Sequence, residues 1–82
     1  MTPLELDSII AGNVRENRAR LRLRQEDLAD EMEWTRAMVT SLESGTRRVA
    51  LADAVALCGA LKIGLRELLQ GAPDEVLQVL GL

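Results

Sequence analysis

Apolar residues recur at steps of three and four along most of this chain, and no stretch alternates at the period of two that a half-buried strand requires. Leu6, Ile10, Val14 and Leu21 share one such face, with Asn17 in register. Leu51, Ala54, Leu57, Cys58 and Leu61 share another, and all five are expected to point inward. That period predicts an all-α fold of packed helices. Composition narrows it further. The 82 residues suffice for one small domain, 48% are hydrophobic, and yet there is one Trp and no Phe or Tyr. The core must be built from Leu, Val, Ile, Ala and Met, which suits helix-on-helix packing better than a sheet.

Several function classes fall away at once. Cys58 is the only cysteine and there is no His, so neither an internal disulfide nor a Cys/His zinc site is available, and a reducing, cytoplasmic setting is expected. No apolar run reaches the length of a membrane span, and Met1 to Glu5 lack the basic character of a secretory leader. Without His, a phosphate-cradling Gly loop or a metal constellation, catalysis is not expected, and no cofactor or metal is implied. The net charge of −3 speaks against a nucleic-acid partner until its distribution is considered. Residues 15–48 carry eight of the ten basic residues (Arg15, Arg18, Arg20, Arg22, Arg24, Arg36, Arg47 and Arg48) against seven acidic ones, whereas the flanks carry two basic and six acidic. The positive charge is segregated, and the local field matters more than the total.

Helix boundaries follow from capping chemistry. Thr2-Pro3-Leu4-Glu5 reads as an N-cap, a first-turn Pro and a capping-box Glu, opening a helix that Gly12-Asn13 is expected to interrupt. Its Arg15, Arg18, Arg20 and Arg22 are read mostly as a solvated face. A second helix is predicted over Gln25–Met32, with Leu28, Ala29 and Met32 inward and Glu26 and Asp27 in its first turn. After a turn at Glu33-Trp34, with Trp34 as an apolar plug, Thr35 caps a third helix over 36–44, anchored by Val39 and Leu42 and stopped by Gly45. Further helices are predicted over 51–61 and 65–70, and Pro73-Asp74-Glu75 starts a last apolar turn or two.

Two short helices joined by a tight turn, with Arg36, Ala37, Thr40 and Ser41 left on the outer face of the second, form a shape that the major groove accepts. Here the sequence resembles the helix-turn-helix family of phage repressors and their Xre-like relatives. The resemblance runs from about Val14 to Gly71. It is carried by Val14 to Arg18, Leu23 to Ala29, Thr35 to Gly45, Arg47-Arg48 and Ala60 to Ile63 with Leu65, Glu67, Leu68 and Leu69. It implies a five-helix, lambda-repressor-like domain: an N-terminal lead-in over 1–13, the repressor-like core over 14–71, and a C-terminal helical extension over 72–82 that is a candidate dimer contact.

The resemblance also implies roles. Arg36, Ala37, Thr40 and Ser41 fall at base-reading positions; Arg24, Gln25, Thr35, Ser44, Thr46, Arg47 and Arg48 fall at backbone-contacting ones, Gln25 also bracing the recognition helix. Arg18 and Glu43 match a partly buried ion pair between the first and third helices. Leu65, Leu69, Val76, Leu77 and Leu80 are the candidate dimer surface. The implied activity is sequence-specific regulation of transcription, as a homodimeric repressor or autoregulator on a palindromic double-stranded operator. The basic loop after the third helix also has a likeness to the restriction–modification controllers within the family. The acidic flanks keep a second reading open, a protein-binding module such as an antitoxin with a protein partner. The chain departs from the family at four places: Arg22 and Glu33 stand where the family usually has Gly, Arg24 where it has a Ser or Thr cap, and Val49 where Pro is frequent. The first turn therefore has to tolerate a non-Gly residue, with φ > 0 one way of doing so.

Overall fold

The computed structural model describes residues 1–82 and contains helices alone. In chain order these are α1 (Pro3–Arg20), α2 (Gln25–Met32), α3 (Arg36–Glu43), α4 (Leu51–Leu61), α5 (Leu65–Leu68) and α6 (Asp74–Val79). The six-helix arrangement is the expected all-α, repressor-like domain with its C-terminal extension formed as a helix. That extension does not loosen the body. The radius of gyration is 11.9 Å, against about 11.7 Å for a compact chain of this length.

α1 begins with the Thr2 hydroxyl accepting from the Glu5 amide at 3.2 Å and Pro3 in the first turn. This is the Thr2 half of the expected capping box, without a return bond from the Thr2 amide to the Glu5 carboxylate. It then runs unbroken through Gly12 and Asn13, where an interruption was expected. A glycine inside a helix costs only about 1 kcal/mol relative to alanine, and the buried face formed by Ile10, Ala11 and Val14 outweighs it. Asn13 turns out to be useful in place. Its amide donates to the carbonyls of Leu68 (2.7 Å) and Gln70 (2.9 Å), satisfying the open C-terminal end of α5.

The core gathers Ile10 and Val14 of α1, Leu28, Ala29 and Met32 of α2, Val39 and Leu42 of α3, Ala54, Leu57 and Leu61 of α4, and Leu68 and Leu69 after it. Two expectations are corrected. Leu51, placed inward by spacing, is 77% exposed: it is the first residue of α4, and burial on that face begins only at Ala54, one turn further on. Leu69, assigned to a dimer surface, is 3% exposed in the core, so it has no area left to offer a second copy. Cys58 is half-buried at the edge of the core, and desolvation first, then the charge of Glu67, pushes its thiol above the ordinary range.

Three helices end in the left-handed region on residues other than glycine: Arg22 (φ 57°), Glu33 (φ 57°) and Lys62 (φ 58°). At each, the chain folds back so that the following amide reaches a carbonyl five residues earlier: Leu23 to Arg18 (3.0 Å), Trp34 to Ala29 (2.8 Å) and Ile63 to Cys58 (3.1 Å). Arg22 and Glu33 are positions where the family usually has Gly, and the first turn does take a non-Gly residue in this region; no such expectation attached to the turn at Glu33. Lys62 adds a third. The α3 terminus uses Gly45 instead, with φ 79°, as its position in sequence implied.

Candidate nucleic-acid interface

The Thr35 hydroxyl accepts from the Met38 amide at 3.2 Å and starts α3. Val39 and Leu42, both fully buried, fix which face looks inward. Arg36, Ala37 and Thr40 are therefore exposed on the opposite face, with Ser41 half-buried at its margin.

That outer face is braced from behind by a continuous polar network. Gln25, the first residue of α2, accepts at Oε1 from the Thr40 hydroxyl (3.2 Å) and from Arg36 Nε (3.4 Å). Its amide nitrogen donates to Glu43 Oε1 at 3.2 Å. Glu43 is 4% exposed, and its carboxylate also takes a two-pronged donation from Arg18, Nε to Oε2 at 2.7 Å and Nη2 to Oε1 at 3.0 Å. Arg18 spends its remaining arm on the Leu23 carbonyl (2.9 Å), and Arg15 donates to the Glu43 carbonyl. The hydrogen bond to Glu43 raises Arg18 above its ordinary range despite the opposing effect of burial. A buried carboxylate is tolerable only when paired and hydrogen-bonded, and here the pairing joins α1, α2 and α3.

The arginines of α1 are thus not a plain solvated face. Arg15 and Arg18 tie α1 to α3, and Arg20 donates to the Leu61 carbonyl at 3.1 Å, closing the end of α4. Arg22 lies past the helix, in the turn.

Arg24 precedes α2, and its side chain is 75% exposed. Asp27 caps the helix in its stead, its carboxylate accepting from the Arg24 amide at 2.8 Å. The same carboxylate pairs with the guanidinium at 3.2 Å. Those bonds, the side-chain one first, hold Asp27 below the usual carboxylate range and raise Arg24. Glu26 lies between two cations, 3.1 Å from Arg36 Nε and 3.9 Å from Arg24 Nε.

The loop after α3 is folded tightly. The Ser44 and Thr46 hydroxyls both donate to the Ser41 carbonyl (3.0 and 3.1 Å) and lie 2.9 Å apart. Arg47 does not extend outward: its guanidinium stacks 4.5 Å above the Trp34 ring, and its Nε is buried without a partner. Trp34 itself packs against the core, as a plug between α2 and α3 should. Arg48 donates from Nε to Asp7 Oδ2 at 2.9 Å, and the Val49 amide donates to Asp7 Oδ1 at 3.2 Å. Asp7 is 5% exposed, while the Arg48 side chain remains 67% exposed.

The structure therefore brings Arg24, Gln25, Arg36 and Thr40 into one cluster, with Ala37 beside them, and sets Ser44, Thr46 and Arg48 along the adjoining loop. Arg47 is drawn aside onto Trp34. Asp7, Glu26 and Asp27 also shape this surface, although none was among the site residues expected from the sequence. Asp7 carried a signal, since it lies at helical spacing with Ile10, Ala11 and Val14 on a face too apolar for an unpaired carboxylate. Of the candidate dimer residues, Leu65 lies in an apolar concavity of about 200 Å³ with Leu51, Ala54, Val55 and Cys58. Val76 and Leu80 line a different one, of about 390 Å³, with Met1, Pro3, Leu6 and Val79. Leu77 packs half-buried against the core.

The family model described as helix-turn-helix matches residues 14–68. Among solved structures, the restriction-modification controller protein C.AhdI from Aeromonas hydrophila is 35% identical, over 76% of this chain and 94% of that one, with a TM-score of 0.71. The hypothetical transcription factor NHTF from Neisseria is 26% identical over 96% of this chain and 90% of that one, with a TM-score of 0.76. A point variant of the restriction-modification controller protein C.Esp1396I shares the fold at 21% identity, over 89% of this chain and 92% of that one, with a TM-score of 0.72. No curated protein matches the chain.

Proposed function

This chain belongs to the helix-turn-helix family of DNA-binding transcription regulators, and from that premise we propose that it acts as a homodimeric repressor or autoregulator that reads a palindromic operator through α3. The observation that carries this reading is the single hydrogen-bonded unit made by Gln25, Arg36 and Thr40 on the exposed face of α3, anchored through Glu43 to a buried ion pair. A recognition surface needs side chains held in place before the duplex arrives, because any ordering left undone weakens binding. The network supplies that order.

In this reading Arg36 presents its fork to guanine O6 and N7, Ala37 meets a thymine methyl, and Thr40 and Ser41 contact neighbouring edges. Arg24, Gln25, Thr35, Ser44, Thr46 and Arg48 hold the sugar–phosphate backbone, which positions the protein without specifying sequence. Arg47, stacked on Trp34, stiffens the loop and contributes charge rather than a direct contact. Two-fold symmetry requires half-sites about 34 Å apart, and a protomer of 34 × 23 × 20 Å paired edge to edge is of the right size to span them. Two exposed apolar patches are candidates for pairing, Leu51 and Val55 on α4 and Val79 and Leu80 at the end of α6. The likeness to the controller protein C.AhdI supports a role as a controller of restriction–modification genes.

Selection from a randomised duplex pool, with sequencing of what is retained, tests the proposal. The wild type should recover a palindrome, and Arg36→Ala should bind it about 1–3 kcal/mol more weakly with relaxed preference at one base position per half-site. A folded Arg36→Ala protein with unchanged preference would refute the base-reading assignment. Co-purification of a protein partner with no shift of any duplex would support the antitoxin-like alternative.

A further inference from the structure

We infer that Glu26 is a specificity-determining residue: its carboxylate competes with DNA for Arg36, so that Arg36 is released to a guanine edge but not to any passing phosphate. The inference rests on the reading of α3 given above and deepens it.

Glu26 lies in the first turn of α2, beside the residues proposed to meet the duplex. It faces two of them at once, with Oε1 3.1 Å from Arg36 Nε and Oε2 3.9 Å from Arg24 Nε. Beyond the favourable place of any carboxylate in a helix's first turn, nothing in the fold requires that placement. The bond to the Arg24 amide is made by Asp27, and Glu26 makes no hydrogen bond to the body of the protein. Its side chain is 44% exposed and that of Arg36 67%. The pair is therefore of the weak, solvent-screened kind, which biases an equilibrium without locking it.

That strength is what discrimination needs. Guanine offers Arg36 two acceptors in a fixed plane, matching the guanidinium fork. A phosphate met in a loose, non-specific complex offers a contact of the same kind that Glu26 already supplies, so the exchange gains little. Removing the carboxylate's charge should free Arg36 to contact phosphate indiscriminately.

The test compares wild type, Glu26→Gln, Arg36→Ala and the double variant, each binding the duplex recovered by selection and a random-sequence duplex of equal length across a salt series. Glu26→Gln should bind random duplex about two- to fivefold more tightly near 0.1 M salt. The dependence of log affinity on log salt should steepen by about one unit. Binding to the selected duplex should rise less, so the specificity ratio falls. In the Arg36→Ala background most of the gain should vanish. A gain that persists in full there assigns the effect to net charge and overturns the proposal, as does a folded Glu26→Gln protein with unchanged affinities and slope. A readout independent of DNA is the Arg36 Nε–H signal by NMR: the proton is held by Gln25 Oε1, and the nearby Glu26 charge should show as a change of its chemical shift in Glu26→Gln. An unmoved signal in a protein that does bind duplex refutes the pairing alone, whereas wild type that binds no duplex refutes the reading of α3, and this inference with it.

Discussion

At the scale of single residues, Glu43 has the greatest consequence. It is a carboxylate in the core region, 4% exposed, and is tolerated because Arg18 and Gln25 between them satisfy both oxygens. Removing one member of a buried pair is far more damaging than never having built it, because the remaining charge stays desolvated. Arg18→Met should therefore lower unfolding free energy by about 3 kcal/mol in urea titrations, the lower end of the range for broken buried pairs, since Arg18 keeps some contact with water. A loss below about 1 kcal/mol would show that water screens the pair as it screens surface bridges. The same substitution should loosen α3 through Gln25, so DNA binding should fall even at temperatures where the protein stays folded.

At the scale of elements, the helix ends decide how α2 and α3 meet. Glu33 holds φ 57° with a side chain, at a cost of about 1–2 kcal/mol. Glycine would remove that strain but spend about 0.5–1 kcal/mol of chain entropy. Glu33→Gly should thus stabilise the domain by up to about 1 kcal/mol, read as a raised thermal midpoint, whereas Glu33→Val should destabilise it. A midpoint lowered by the glycine would mean that the turn is not strained.

Much of this level was legible in the sequence. The Thr2 and Thr35 caps, the Gly45 stop and the apolar faces of α2 and α3 depend on residues within a turn of one another, and local chemistry is what a sequence displays. The left-handed turn after α1 was suggested only by resemblance, since arginine does not announce that conformation, and Glu33 and Lys62 gave no sign of theirs. Contacts between distant residues were hidden for a different reason. Asp7 meets Arg48 across 41 positions, and Asn13 reaches Leu68 across 55; no spacing rule connects them. Leu51 shows the limit of periodicity, which says which residues share a face but not whether another helix covers it.

At the scale of the whole molecule, charge and apolar surface are set apart. Arg24, Arg36 and Arg48 border α3 and its loop, each held by an acidic neighbour, so the balance near the proposed groove is tempered rather than strongly positive. Two apolar patches remain in water, one at Leu51 and Val55 on α4, the other at Met1, Leu4, Val79 and Leu80 where α1 and α6 adjoin. Under the proposed homodimer, one of these patches meets a second copy of the chain. Sedimentation equilibrium on Val55→Glu and Val79→Glu should find at least one of them monomeric where the wild type is dimeric. If both charged variants keep the wild-type state, or the wild type is itself a monomer, the homodimer is wrong.

If the N-terminal half of α3, braced by Gln25, is the face that enters DNA, titrating the ¹⁵N-labelled protein with its selected duplex should shift the amide signals of residues 24–26, 35–41 and 44–48 most. Those of α6 and the middle of α4 should be little moved by DNA itself. Shifts concentrated on α4 or α6, with residues 35–41 silent, would rule that placement out.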